Sequence, residues 1–260
     1  MVTTVEEAIV SAIDGERLAA VLTAVSGPDL GDKAVVEYEV GVVAGGLAVG
    51  EDLMADARQL MDHEQSRTIT YGEQEVFIET LAPPPRLLVF GAVHIAQALC
   101  DLATRLGFRV SVSDARPAFI TAERFPAAAD LLVGWPDELG ERIVIDRRTY
   151  VVLLSHDARF EDPVLPMVLN SAARYIGAMG SRRTHVKRIE RLSAAGFSDD
   201  QIARIHGPVG LDIGAETPAE TAVSILAEMI QVRYGAGSGL SLRGRQGRIH
   251  LQRTDGPGDI

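Results

Sequence analysis

The residues able to do chemistry group at the ends of short apolar runs, and most of them suit an anion. Gly91-Ala92-Val93-His94-Ile95-Ala96 reads as a tight turn opening a helix. Unpaired backbone N–H groups and the partial positive charge of a helix N-terminus favour a phosphate there. His94 could add a donor to a phosphate or ring oxygen, or could bond only to local backbone. Asp114 lies about twenty positions past the turn, where an acidic residue holds a ribose hydroxyl in dinucleotide-binding units. His156-Asp157 is a polar pair whose histidine can change charge near neutral pH, although Asp157 could equally cap the next segment.

Gly180-Ser181-Arg182-Arg183 places two cations where a helix starts, against its dipole. That misplacement implies an anionic ligand or a compensating carboxylate, and the guanidinium fork matches phosphate. Asp212, between the glycines of Gly210-Leu211-Asp212-Ile213-Gly214, faces either a ligand or only its own turn. The candidate cofactor-binding set is therefore Gly91, Ala92, His94, Ala96, Asp114, His156, Gly180, Ser181, Arg182, Arg183 and Asp212, with no catalytic or metal-ligating residue assigned. Cys100 reads as a small buried residue rather than a nucleophile.

The elements that must position these residues alternate strand and helix. Leu87 to Phe90 is an apolar run of buried-strand length that Gly91 ends. Ile95, Leu99, Leu102 and Leu106 recur at helical spacing, Gly107 closes the helix, and residues 109–114 form a second strand. That is a βαβ opening. Only the first glycine of the full dinucleotide fingerprint is present; Ala96 is a tolerated small residue at the sixth position, and Val93 takes the slot of the second glycine, where it is expected to crowd a pyrophosphate. Further strands are expected at 131–133, 150–154 and 175–179, a helix at 162–173, and a helix at 220–233 opened by the capping box Thr217-Pro218-Ala219-Glu220. Ligands of such sheets bind beyond the carboxyl ends of the strands, so Gly91, Asp114, His156 and the 180–183 segment are expected to line one crevice.

Residues 1–85 form a separate, smaller unit of mixed α+β character. One or two helices are expected through Val5, Ala8, Ile9, Ile13, Leu18 and Val21, then β structure at 35–43, a helix at 51–61 and a strand at 75–79. Pro83-Pro84-Pro85 is a stiff linker. The expected organisation is thus 1–85, a Rossmann-like doubly wound parallel-sheet domain at 86–235, and a flexible Gly- and Arg-rich tail at 236–260.

Composition bounds the partners. The chain has 260 residues, 47% hydrophobic and 23% charged, with a net charge of −11, which argues against nucleic acid as a general partner. No run is long enough to span a bilayer and no signal-peptide pattern opens the sequence, so a cytoplasmic protein without membrane contact is expected. A lone cysteine forms neither an internal disulfide nor an all-cysteine metal site.

FGAVHIAQAL at 90–99, SHDARFEDPVL at 155–165, YIGAMGSRRT at 175–184 and GLDIGAETPAETAVSILAEMI at 210–230 together resemble the XdhC/CoxI family, the accessory proteins of xanthine dehydrogenase and related molybdenum hydroxylases. The resemblance implies a molybdenum cofactor (molybdopterin) chaperone, not itself a redox catalyst. Such a protein shelters the cofactor while a cysteine desulfurase-like partner supplies sulfur, inserts it into an apo molybdenum hydroxylase, and often forms a homodimer. Family members commonly carry a Gly-Gly-Cys segment in the first domain; this chain reads Gly45-Gly46-Leu47. The alternatives are an NAD(P)-dependent oxidoreductase, supported by the βαβ unit and Asp114 with Arg116 beside it, and a regulatory partner that has lost its ligand.

Overall fold

The computed structural model describes residues 3–155 and 158–244, and these divide into two compact units, one of residues up to Pro83 with 242–244 and one of Pro84–Ser241. His156, Asp157 and most of the expected flexible tail lie outside the described residues.

In the first unit, helix α1 (Val5–Asp14) starts at a capping box in which Thr4 and Glu7 bond each other's backbone N–H. Strands β1 (Ala19–Ala24), β2 (Lys33–Glu37) and β3 (Gly41–Gly45) lead to helix α2 (Glu51–Asp62), and β4 (Arg67–Tyr71) and β5 (Gln74–Leu81) follow. The sheet is antiparallel throughout, in the order β3-β2-β1-β5-β4. Ala20, Leu22, Val36 and Ile78 meet Leu53, Ala57 and Leu60 of α2 on one face, while Val35 meets Ala8 of α1 on the other. Alternation along a strand produces this two-sided burial.

The expected helix through Leu18 and Val21 is instead β1, the central strand of this sheet. A strand buried on both faces reads as an unbroken apolar run, which a helical template also fits. Gly15 ends α1, and Ile13, expected on its apolar face, is exposed. Strand β4, an edge strand unanticipated in the sequence, pairs along its whole length with β5.

The second unit is a doubly wound α/β domain. Strand β6 (Arg86–Phe90), helix α3 (His94–Arg105), β7 (Arg109–Asp114), β8 (Asp130–Val133) and β9 (Thr149–Leu153) precede α4 (Ala158–Leu169). Then come β10 (Tyr175–Ala178), α5 (Arg182–Ala194), α6 (Asp199–Ala203), β11 (Ile205–His206) and α7 (Pro218–Tyr234). All six strands run parallel in the order β11-β10-β9-β6-β7-β8. Helices α3 and α7 cover one face through Leu99, Ala103, Ile225 and Met229; α4, α5 and α6 cover the other through Val164, Leu165, Leu192 and Ile202. Strand order reverses between β6 and β9, and every strand points its carboxyl end the same way.

Helix α4 begins and ends four residues before the span expected for it. Phe160 and Glu161 in its first turn have tertiary partners, Trp135 and Arg188, that secure the extra turn. Its end is set by Ser171, whose hydroxyl donates to Val168 O and accepts from Ala173 N. At α7 the expected capping box is present: Thr217 Oγ1 accepts from Glu220 N, and the Glu220 carboxylate accepts from Thr217 N at 2.8 Å. Thr217→Ala should lower stability by about 1 kcal/mol in chemical denaturation, with the midpoint moving and the slope unchanged.

Candidate functional site

The turn after β6 is built around Asp114, which is only 2% exposed at the end of β7. Its Oδ2 accepts from Ala92 N at 2.9 Å and from Arg116 Nη2 at 2.7 Å; its Oδ1 accepts from Arg116 N at 3.0 Å and Arg116 Nε at 2.8 Å. A carboxylate offers about four lone-pair positions, and all are taken. Burial pushes the Asp114 carboxyl up, but the hydrogen bonds from Arg116 and Ala92 and the guanidinium charge outweigh it, holding the group below its usual range. In the present conformation the aspartate organises the turn and offers no lone pair to a ribose hydroxyl.

Gly91 adopts φ +107°, and a Cβ there would lie 3.2 Å from Ser155 N, so the position belongs to glycine. Val93, by contrast, is the extended N-cap residue of α3, with φ −86° and ψ 176°. These dihedrals are open to any residue, and the valine, expected to crowd a pyrophosphate, packs instead against the core cluster beneath α3. Because Val93 supplies no capping side chain, the first amides of α3, from His94 to Ala96, keep the open donors of a helix start among the described residues. Ser181 caps α5 by accepting from Thr184 N at 3.1 Å; α3 has no equivalent. His94 is exposed at the first position of α3, and Ala96 is fully buried, where its small side chain lets the helix approach β6.

Arginines frame this turn. Arg124 donates through Nη2 to Ala92 O at 3.1 Å and through Nη1 to Phe119 O at 2.6 Å. Arg116 and Arg124 lie over the same Phe119 ring, at 4.2 and 5.3 Å from its centroid. Two strands away, about 10 Å at ordinary strand spacing, Gly180 and Ser181 follow β10, and Arg182 and Arg183 are the first residues of α5. Both arginines are exposed and pair with none of the described residues. The carboxylate that could have compensated them is therefore absent among those residues.

Beneath this segment lies a charged pair missed in the sequence. Arg188 is fully buried and donates to Glu161 through Nη2 at 2.6 Å and Nε at 3.1 Å, and to the Met179 carbonyl at 2.8 Å. Arg191 adds a bond to Glu161 at 3.1 Å. His185, with Nδ1 3.3 Å from Arg188, has its pKa lowered by burial and by that guanidinium charge. The signal was available: Arg188 shares a helical stripe with Leu192, and Glu161 one with Val164, Leu165 and Val168, so each occupies a core-facing slot that demands a buried partner.

The loop after β11 reaches the same end of the sheet. Glu228 of α7 accepts from Gly210 N at 2.9 Å and from the buried Tyr175 hydroxyl, and pairs with His206 Nδ1 at 3.3 Å. Ser224 Oγ donates to Leu211 O, and a Cβ at Gly210, where φ is +101°, would collide with that hydroxyl. Asp212, exposed between these anchors, pairs with none of the described residues. Gly91, Ala92 and Asp114 thus meet directly, whereas the 180–183 and 210–214 segments share their end of the sheet.

Cys100 is buried within the core, where burial and nearby Asp101 push its thiol up to about 11, so it supplies no thiolate at neutral pH. Among the described residues, no group of His, Cys, Asp and Glu side chains could hold a metal ion, and no helix is long and apolar enough to cross a membrane.

An all-parallel doubly wound sheet with a helix start at its switch point that carries no side-chain cap defines a Rossmann-type domain. Residues 87–229 match the XdhC Rossmann domain, and the chain belongs to the XdhC family. It is 33% identical over 193 residues to the uncharacterized protein YqeB of Escherichia coli, covering 73% of this chain and 35% of that protein. It is 34% identical over 158 residues to a probable xanthine dehydrogenase subunit from Bacillus subtilis, covering 61% and 46%. It is 33% identical over 151 residues to the molybdenum cofactor insertion chaperone PaoD of Escherichia coli, covering 58% and 41%. The chain thus spans less than half the length of each of these relatives. A solved structure described as a xanthine dehydrogenase from Bacillus halodurans shares the fold at a TM-score of 0.53 and 20% identity, covering 88% of this chain and 94% of that one.

Two substitutions probe the buried charges. Asp114 titrates below its unfolded value of about 3.9, so its contribution is complete above that pH and is lost as pH falls through the folded value. Asp114→Asn should therefore cost about 2 kcal/mol at neutral pH, with the gap to wild type closing below about pH 4. Arg188→Met leaves Glu161 with the half-exposed Arg191 alone and should cost about 3 kcal/mol by denaturant titration, much of it recovered in the double substitution with Glu161→Leu.

Proposed function

We propose that this protein is a carrier for the molybdenum cofactor, binding the pterin through its phosphate and handing it to an apo molybdenum hydroxylase. One observation carries the reading: the β6–α3 turn keeps the anion-binding end of a Rossmann site while Asp114, its ribose-binding end, is closed by Ala92 and Arg116. Family membership and similarity to the insertion chaperone PaoD point the same way.

The residues fit the cofactor at its phosphate and not at its metal. The α3 amides, Arg182 and Arg183 are placed to take an anion at the carboxyl end of the sheet, and His94 is exposed beside the turn. Where other members have the cysteine of a Gly-Gly-Cys segment, Leu47 is buried in the core of the first unit, and Cys100 is protonated and enclosed. When bound, the cofactor brings its own molybdenum chemistry. This chain orients it and neutralises its negative charge. NAD and NADP are disfavoured because a dinucleotide needs the ribose acceptor that Asp114 no longer presents.

The test is an anaerobic calorimetric titration of the purified protein with molybdenum cofactor, with NAD and NADP in parallel. Cofactor should bind at micromolar or lower concentration. Arg182→Ala and His94→Ala should each weaken it by about tenfold, the worth of one charge-assisted hydrogen bond. Binding of NAD alone, or of none of the three, overturns the carrier.

A further inference from the structure

The chain holds one tryptophan, and its packing against the first turn of α4 leaves much of it in water. Trp135 follows β8 and is 39% exposed; Val133, two positions earlier, is 42% exposed. The indole stacks on Phe160 with ring centroids 4.7 Å apart and planes inclined by 24°. Keeping that much aromatic and aliphatic surface in water costs about 25 cal/mol for each Å², a cost that a fully buried position would remove.

Topology fixes the place of the pair. Trp135 comes from beyond β8 and Phe160 from the first turn of α4, which follows β9; β6 and β7 lie between those two strands. The stack therefore joins the segments that follow β8 and β9, at the end of the sheet where Ala92 bonds Asp114. It lies on the α4 side, where Leu132 and Leu139 join the core beneath that helix. The segment is fixed by its backbone: Gly134 N donates to Asp114 O at 3.2 Å, and Trp135 N donates to Glu138 Oε2 at 3.0 Å. The indole is thus held in position before any ligand arrives, and little conformational entropy remains to be lost on stacking. The same end of the sheet carries the α3 amides and the Arg116–Phe119–Arg124 group. An uncapped helix start and a partly exposed aromatic pair at one end of the sheet match a ligand that joins a phosphate to a flat ring.

We propose that Trp135, backed by Phe160, is the stacking platform for the planar ring of the bound ligand, a fused heterocycle of the pterin class whose phosphate arm lies on the β6–α3 turn. The proposal rests on the carrier reading and adds the residue that selects the ring. It assigns affinity to the π-face of the indole rather than to its bulk, since stacking of a base-like ring on an aromatic side chain is typically worth a severalfold to hundredfold change in affinity.

Two substitutions separate face from bulk. Trp135→Leu keeps an apolar side chain and removes the π-system; it should weaken cofactor binding, read by anaerobic calorimetry, by about tenfold or more. Trp135→Phe should stay within about threefold of wild type, because a smaller ring still stacks. A second readout does not depend on either variant folding: on binding to the wild-type protein, the pterin-ring protons should move upfield in the proton NMR spectrum under the ring current of the indole. Unchanged affinity in Trp135→Leu, equal losses in both variants, or bound pterin without an upfield shift overturns the platform while the carrier stands. Failure of the wild-type protein to bind the cofactor at all removes the carrier and the platform together.

Discussion

A parallel sheet whose strand order reverses once imposes the constraint on which the second unit depends. Because β6 to β11 all run the same way, every chemically useful connection is forced to one end: the turn before α3, the end of β7, the start of α5 and the loop after β11. Because α3 and α7 take one face and α4 to α6 the other, the chain parts between β6 and β9 and leaves a crevice there. No single motif could build it. Gly91 and Arg182 are 91 positions apart in the chain, and only the order β6-β9-β10 brings their segments within two strands of each other.

Within that frame, buried charge does the positioning. Asp114 ties the β6 turn to the end of β7 through Ala92, and Arg116 neutralises it from the solvent side. The Glu161–Arg188 pair does the equivalent work under β10, where Arg188 also holds the Met179 carbonyl just before Gly180. Buried ion pairs add little net stability over an apolar pair of equal volume, but removing one partner is costly. Such pairs therefore specify where a loop must lie. In a chain of net charge −11, Arg182 and Arg183 stand without partners among the described residues at a helix start that repels cations. Local energetics would place a carboxylate there.

The sequence announced the periodic parts of this protein and hid the parts fixed at a distance. The βαβ opening, the short strands of the parallel sheet and the α7 capping box follow from spacing and local hydrogen bonding, which a linear reading contains. Leu18 and Val21 misled because a strand buried on both faces has no period to distinguish it from a helix. Helix α4 slid by a turn because its start is set by Trp135 and Arg188, 25 and 27 positions from Phe160 and Glu161. The candidate site divides in the same way. Its glycines and helix starts were legible; the saturation of Asp114 depends on where the Arg116 side chain folds back, which no spacing rule encodes.

The altered glycine fingerprint can now be read in physical terms. Its first glycine is required by backbone shape, since Gly91 sits at φ +107° against Ser155, and its sixth position by packing, which Ala96 satisfies. The second position is different: Val93 has extended dihedrals open to any residue and turns its side chain to the core. The fingerprint is thus a set of separable demands rather than one signal. Replacing the middle glycine by Val93 therefore leaves the helix amides in place. Losing Asp114 to Arg116 removes the ribose contact and again leaves those amides untouched. The closure of Asp114 acts against a dinucleotide while the amides at the start of α3 keep no side-chain cap. The stacked rings of Trp135 and Phe160 follow β8 and β9 at the same end of the sheet.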